Sequence, residues 1–369
     1  MLYLLECFVN YILKEINLME TIIKKTSEND AIKVASEILK RGGLVAFPTE
    51  TVYGLGGDAL RPDASMHIYK AKGRPSDNPL IVHIADTKDV YNLAENVSPK
   101  AEALMEAFWP GPMTLIFNKK EVVPKETTGG LNTVAIRMPS HPDAVRLIRE
   151  SGVYIAAPSA NTSGRPSPST AEHVIEDLDG KIDMILDGGP VGIGIESTIV
   201  DMTSEIPTIC RPGFITKKML ESIIGEVEID KALISPDKNL HPKAPGMKYT
   251  HYAPCGQLYI VESSVDESIV TEEVINKINS LVEEKSKEGF KVAVLTTKDK
   301  MSSYKCDNII LLGEKGDGTT VASRLYAALR ECDTIQADYI YSEGFNRDDL
   351  GGAIMNRLIK SAGHKVILV

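Results

Sequence analysis

The feature that most constrains this chain is a break in its patterning. Between Lys231 and Gly256 the hydrophobic periodicity vanishes, and Pro236, Pro242, Pro245, Gly246, Pro254 and Gly256 punctuate the stretch. Proline lacks an N–H and resists helix interiors and central strands. No regular element can run across, so each flank must build its own core. A chain of 369 residues is long enough for two cores, at about 150 residues per domain. Long irregular segments in compact proteins are usually functional or linkers. The middle of this one, PGMKYTHYAP (Pro245–Pro254), is rich in ligand-binding groups and reads as a candidate lid. The expected division is an N-terminal extension 1–18, a first domain 19–230, a linker or lid 231–256, and a second domain 257–369.

The two flanks differ in pattern. In the first, helices are expected at Thr26–Gly43, Ala64–Lys70, Lys88–Glu95, Pro99–Phe108, Pro142–Glu150, Thr170–Leu178 and Thr216–Ile224. Strands are expected at Leu44–Phe47, Pro79–Ile84, Met113–Phe117, Thr133–Met138, Tyr154–Ala157, Met184–Leu186, Ser197–Met202 and Thr208–Arg211. Strands follow one another without intervening helices, which predicts a twisted, mixed α/β sheet. After Gly256, strands alternate with helices. Strands are expected at Leu258–Val261, Val292–Thr296, Asn308–Leu312, Tyr339–Ser342 and Lys365–Val369, and helices at Ser268–Glu288, Thr319–Glu331 and Leu350–Ala362. That is a smaller α/β unit with a mainly parallel sheet.

Lys and Arg number 41 against 51 Asp and Glu, a net charge of −10. This balance argues against a general nucleic-acid or membrane-surface binder and leaves room only for a local basic pocket. The five cysteines show no C-x-x-C spacing, which suggests neither a disulfide framework nor a thiolate zinc site and makes a reducing cytoplasm the expected compartment. Residues 1–19 are apolar, but Glu6 interrupts them and no Lys or Arg precedes the apolar run. They read as a docked or poorly ordered tail rather than a signal peptide or membrane span.

Several segments could carry chemistry. Lys70, Lys72 and Arg74 cluster where a helix runs out through Gly73. Lysine offers a point charge to phosphate and arginine a fork, yet basic residues also favour a solvated helix C-terminus; on these residues alone the two readings balance. AAPSANTSGRPS (Ala156–Ser167) ends a buried strand in small hydroxyl and amide groups able to approach a phosphate or base edge, or to form an ordinary loop. Gly194–Thr198 and Cys210–Gly213 place polar groups beside apolar strands, each a weak signal by itself. Gly54-Leu55-Gly56-Gly57-Asp58-Ala59 fits a dinucleotide fingerprint on paper, but its strand lies too far upstream and Pro62 follows. Its glycines read instead as allowing close approach or a tight turn. The seven histidines show no metal spacing; His83, near the end of an apolar strand, reads first as a satisfied core histidine.

In order, FPTETVYGLG, KAKGRPSDNPLIVHI, FWPGPMTLI, TVAIRMP, APSANTSGRPSPS, ESTIVD and CRPG resemble the YrdC-like family of threonylcarbamoyl-AMP synthases. PGMKYTHYAP, SRLYAALRECD and GGAIMNRLIKSAGHKV resemble its longer, two-domain branch. The family's K-x-R and S-x-N signatures stand here as Lys72-Gly73-Arg74 and Ser159-Ala160-Asn161. The resemblance implies a twisted mixed-sheet YrdC-like N-terminal domain with a large positive concavity and a smaller Rossmann-like C-terminal domain.

It implies that L-threonine, bicarbonate (or CO2) and ATP give threonylcarbamoyl-adenylate and pyrophosphate. The adenylate would pass to tRNA-modifying transferase proteins that act on the adenosine next to the anticodon in ANN-decoding tRNAs. Contact with tRNA itself would be weak or indirect, and no membrane is involved. ATP would lie near Arg74, Asn78, Thr133, Ser159, Asn161, Ser167 and Arg211, with Lys70, Lys72 and Arg74 catalytic through phosphate charge, Mg²⁺ held mainly by the phosphates, and no protein metal site. L-threonine would draw on Thr51, His83, Arg137, Ala157 and Ser197, and Tyr249 would close over the nucleotide. Two other readings share the fold: a carbamoyltransferase-type module, which should carry acylphosphatase and zinc-finger segments absent here, and a non-catalytic RNA-binding protein.

Overall fold

The structure is a computed structural model and describes residues 20–234, 252–264 and 270–369. The N-terminal extension, Tyr249 and most of the candidate lid lie outside the described residues. Among the described residues the first lobe holds a twelve-stranded mixed sheet. Its path runs Ile22–Lys25, Met184–Asp187, Val45–Phe47, Gly54–Asp58, Ile155–Ala157, Ile81–His83, Thr133–Arg137, Met113–Lys119, Thr198–Asp201, Thr208–Arg211 and Glu228–Ile229, and the twelfth strand, Ala94–Glu95, pairs off this path with Met113–Lys119. Parallel and antiparallel neighbours mix: Val45–Phe47 runs parallel to Met184–Asp187 but antiparallel to Gly54–Asp58. The consecutive strands read in the sequence build this mixed sheet. The Ala31–Lys40 helix buries Ile32, Ala35, Ile38 and Leu39 against Leu147 and Ile148 of the Pro142–Ser151 helix and against Val45 and Phe47 of the sheet.

Two departures from expectation matter. The first helix begins at Ala31 rather than Thr26, because Ile22–Lys25 is drawn off as a strand parallel to Met184–Asp187. Gly54–Asp58, expected as part of a turn-rich segment, is a central strand between Val45–Phe47 and Ile155–Ala157. A Cβ on Gly56 would lie 2.6 Å from Ile155 Cγ2 and 2.8 Å from the Phe47 ring. Its glycine therefore serves close packing, not a nucleotide turn.

The second lobe is a five-stranded, wholly parallel sheet among the described residues, ordered Asn308–Gly313, Val292–Thr297, Tyr339–Glu343, Gln257–Glu262, Val366–Leu368. The long helices Gly318–Thr334 and Asp349–Ser361 carry residues that contact the first lobe. Val52 and Ile195 of the first lobe join one buried cluster with Leu258, Ile260, Leu325, Leu329 and Leu358 of the second. No helix among the described residues is long and apolar enough to cross a membrane.

The lobes meet closely at Gly194, whose φ is +81° and where a Cβ would lie 2.4 Å from Ser323 Cα. The contact is with backbone, which cannot swing aside. Gly194→Ala is expected to destabilise the docked arrangement by about 2–3 kcal/mol, combining overpacking with left-handed strain. A lowered melting temperature and faster proteolysis near the lobe junction would register it; an unchanged melt would show that the helix slides away freely.

Candidate active site

The helix Pro62–Lys72 ends on Gly73, which adopts a left-handed conformation (φ 61°) that suits glycine. This turn separates the fates of the three basic residues. Lys70 is exposed and does not line the cleft. Lys72 is buried, and its ammonium donates to the backbone carbonyls of Ser159 and Asn161. Burial, reinforced by the neighbouring Arg74 charge, pushes its pKa well below the ordinary lysine value. Lys72 thereby ties the K-x-R turn to the S-x-N loop.

That loop is organised throughout. Ser159 Oγ donates to Asn161 Oδ1 at 2.5 Å, and Asn161 Nδ2 donates to the carbonyls of Thr162 and Arg165 at 2.8 and 2.9 Å. The Thr162 amide donates to buried Asp177 at 3.0 Å. Arg74 Nε and Nη2 donate to the carbonyls of Asn78 and Pro79 at 3.2 and 3.1 Å, which fixes one edge of the guanidinium. Burial lowers the Arg74 pKa to about 10, so the group is still cationic at neutral pH.

Across the cleft, Arg137 Nη1 donates to Thr51 Oγ1 at 2.9 Å, and Nη2 lies 2.7 Å from Glu50 Oε1. Burial alone would raise the Glu50 carboxyl, but the Arg137 charge outweighs it and holds the pKa below its usual value. Arg211 Nε and Nη2 donate to Ser197 O and Oγ at 3.0 and 3.1 Å, and Ser197 Oγ also meets Thr114 Oγ1 at 2.7 Å. His83 Nδ1 lies 3.0 Å from Ile81 O. A carbonyl only accepts, so Nδ1 carries the proton and Nε2 the lone pair.

Burial, then the Arg137 charge, lowers the His83 pKa to about 3. Between pH 6.5 and 5 the unfolded chain binds a proton here and the folded chain does not, so stability falls as pH falls. At about 1.36 kcal/mol per pH unit the loss is about 2 kcal/mol. His173, lowered to about 4 mainly by burial, acts in the same direction. His83→Asn should melt with a smaller drop between pH 7 and 5 than the parent chain. Equal drops would mean that His83 titrates normally.

One cleft is thus lined by Lys72, Arg74, Ser159, Asn161 and Arg211 together with Thr51, His83, Arg137, Ala157 and Ser197. Asn78, Thr133 and Ser167 do not line it; Asn78 holds Arg74 through its carbonyl, and Ser167 donates to Glu196 Oε1 at 2.6 Å. The sequence reading gave no role to Thr49, Ser163, Glu196 or Tyr252, which line it as well. Glu196 lay inside a noted motif and Tyr252 inside the candidate lid. Tyr252 is buried, and the amide that follows it, Ala253 N, donates to Gly164 O at 2.9 Å. The end of the linker is therefore seated on the cleft. Among the described residues no group of His, Cys, Asp and Glu could hold a metal ion.

A basic cleft beside a small hydroxyl-lined wall suits a phosphate-bearing ligand next to a small carboxylate. Comparison with known proteins gives this arrangement its family. A family model described as "Telomere recombination" (Sua5, YciO and YrdC) matches residues 37–213, and one described as "Threonylcarbamoyl-AMP synthase, C-terminal domain" matches 215–363. The threonylcarbamoyl-AMP synthase of Bacillus subtilis is 49% identical, over 94% of this chain and 97% of that protein. That of Pyrococcus abyssi is 45% identical, over 94% and 98%. A structure described as P. abyssi Sua5 complexed with L-threonine superposes with a TM-score of 0.86 at 44% identity, covering 95% of this chain and 99% of that one. The chain belongs to the threonylcarbamoyl-AMP synthase family, in the form that carries both domains.

Proposed function

We propose that this chain converts L-threonine, bicarbonate (or CO2) and ATP into threonylcarbamoyl-adenylate and pyrophosphate, which serves tRNA threonylcarbamoyladenosine formation. The observation that carries this reading is the meeting, in one cleft, of a cationic wall (Arg74 and Arg211 with the Lys72-tied S-x-N loop) and a wall of Arg137, Thr51, Ser197 and His83. The threonine amine adds to CO2 to give a carbamate, losing its proton. A carbamate oxygen then attacks the α-phosphorus, and pyrophosphate leaves with the bonding pair. Such a displacement needs alignment and charge neutralisation more than a protein nucleophile. Arg137 suits the threonine carboxylate through its fork, and neutral His83 offers an acceptor lone pair beside it. Arg74 and Arg211 face the growing phosphate charge.

Mg²⁺ belongs to this proposal as an ion carried in with the phosphates, a mode that needs no protein cage. The two carboxylates at the cleft, Glu50 and Glu196, already pair with Arg137 and Arg357, and no step is routed through the ion. The product would leave for tRNA-modifying transferase proteins, with tRNA contact left to them. The test is direct: purified protein with ATP, bicarbonate and radiolabelled threonine should release pyrophosphate in a threonine-dependent way. ATP hydrolysis indifferent to threonine would overturn the reading.

A further inference from the structure

Glu196 lines the cleft, yet two of its side-chain partners come from the other lobe. Its Oε1 accepts from Ser167 Oγ at 2.6 Å and from the Tyr326 hydroxyl at 3.0 Å. Its Oε2 accepts from the Tyr326 hydroxyl at 2.9 Å and from Arg357 Nε at 3.1 Å. Arg357 is fully buried and also donates to the carbonyls of Glu196 and Pro212. Tyr326 is fully buried too, and its ring stacks on cleft-lining Tyr252 at a centroid distance of 5.1 Å. The next residue along, Ser197, is held by Arg211. The network reaches the cleft through Glu196, Ser197 and Tyr252.

We infer that Tyr326 and Arg357 of the C-terminal lobe are positioning residues for the nucleotide side of the cleft, acting through Glu196 on Ser167 and Arg211. A buried carboxylate must be paired. Arg357 supplies that pairing from outside the first lobe and leaves Arg211 to hold Ser197 and face the cleft. Without Arg357, the nearest guanidinium able to answer Glu196 is Arg211, and its turn toward Glu196 would draw it off Ser197. Ser167 would be left bonded to a carboxylate with no fixed direction. The second lobe thereby sets the geometry of a cleft that, among the described residues, none of 257–369 lines.

The charges around Glu196 agree with this balance. Burial alone would raise its carboxyl, but Arg357 and then Arg211 outweigh burial and bring its pKa down to about 2. Tyr252 and Tyr326 also face it, and burial, with Glu196 adding to it, raises both phenols and keeps them protonated donors. Lys360 completes the surroundings; burial, then the charges of Arg357 and Arg211, lowers it to about 7.

The inference rests on the proposed function for its choice of ligand, so its test reads ATP binding by calorimetry, independent of turnover. Tyr326→Phe keeps the ring on Tyr252 and removes one donor to a charged acceptor; ATP affinity is expected to fall about threefold to tenfold in a protein that still folds. Arg357→Met should weaken ATP binding at least about tenfold. Adding Glu196→Gln to Arg357→Met should recover most of that loss, because a neutral amide needs no counter-charge. In turnover assays the KM for ATP should rise more than kcat falls. Wild-type ATP affinity in Tyr326→Phe and in the folded Arg357→Met protein would overturn the inference. So would a double variant no better than the single one. If Arg357→Met does not fold, Tyr326→Phe and the double variant decide the matter. A parent chain that binds ATP but releases no threonine-dependent pyrophosphate would defeat the proposed function and leave this test standing.

Discussion

Replacing Arg74 with alanine is expected to lower threonine-dependent pyrophosphate release by about 10²- to 10³-fold, the usual effect of removing one preorganised donor from a developing charge. Two features support a loss of that size. The guanidinium is already fixed by the carbonyls of Asn78 and Pro79, so it spends no entropy on orientation during reaction. Its charge also survives burial, since a pKa of about 10 keeps it protonated at neutral pH. Lysine should not rescue the loss, because an ammonium cannot hold the same two carbonyls through a planar fork. The fold should survive, because Arg74 is only half-buried and sits on a loop. Circular dichroism melts check the fold and the pyrophosphate assay checks the rate. Near-parental turnover in Arg74→Ala would remove Arg74 from the chemistry.

The second large effect concerns Asp177. Its carboxylate has no exposed area and accepts from Arg330 Nη2 at 2.8 Å, from Arg165 and from the Thr162 amide. Arg330 belongs to the other lobe, is 3% exposed, and also donates to Pro166 O at 2.7 Å. Buried ion pairs give little net stability, but deleting one partner costs up to about 3–5 kcal/mol, and here Arg330 would keep only the half-exposed Glu176 at 3.2 Å as counter-charge. Asp177→Ala should therefore lower the melting of the first lobe by up to about 6–20 °C, at roughly 2–4 °C per kcal/mol for a unit of that size. It should also loosen the S-x-N loop, because Thr162 loses its acceptor. Pairing Asp177→Ala with Arg330→Met should restore much of the melting temperature but not the loop. If the single variant melts like the parent, water reaches Arg330 and the interface is wetter than its burial implies.

Much of this architecture was legible from residue patterns. Leu44–Phe47 and PLIVHI read as strands because buried strands are continuous apolar runs bounded by turns. The cleft was legible where polar residues gather at the ends of elements, a helix end for Lys72–Arg74 and a strand end for Ser159–Asn161. Gly54–Asp58 was not legible as a strand, because the reason for its glycines lies in Ile155 and Phe47, which are distant in sequence. Lys72 read as a free cation for phosphate; only the folded loop brings two carbonyls to its ammonium. Tyr326 and Arg357 fall within segments that resemble the two-domain branch, and neither receives a role there. Their partner Glu196 lies 130 and 161 residues away, a separation that leaves no local trace.

That separation also sets an order in time. At about 5–20 residues per second, a ribosome needs about 8–32 s to travel the 161 residues from Glu196 to Arg357. Through that interval the first lobe can close its own sheet, but Glu196 lacks its Arg357 partner. On the inference above, a nascent or prematurely stopped chain would hold ATP at least about tenfold more weakly than one whose synthesis has run past Arg357.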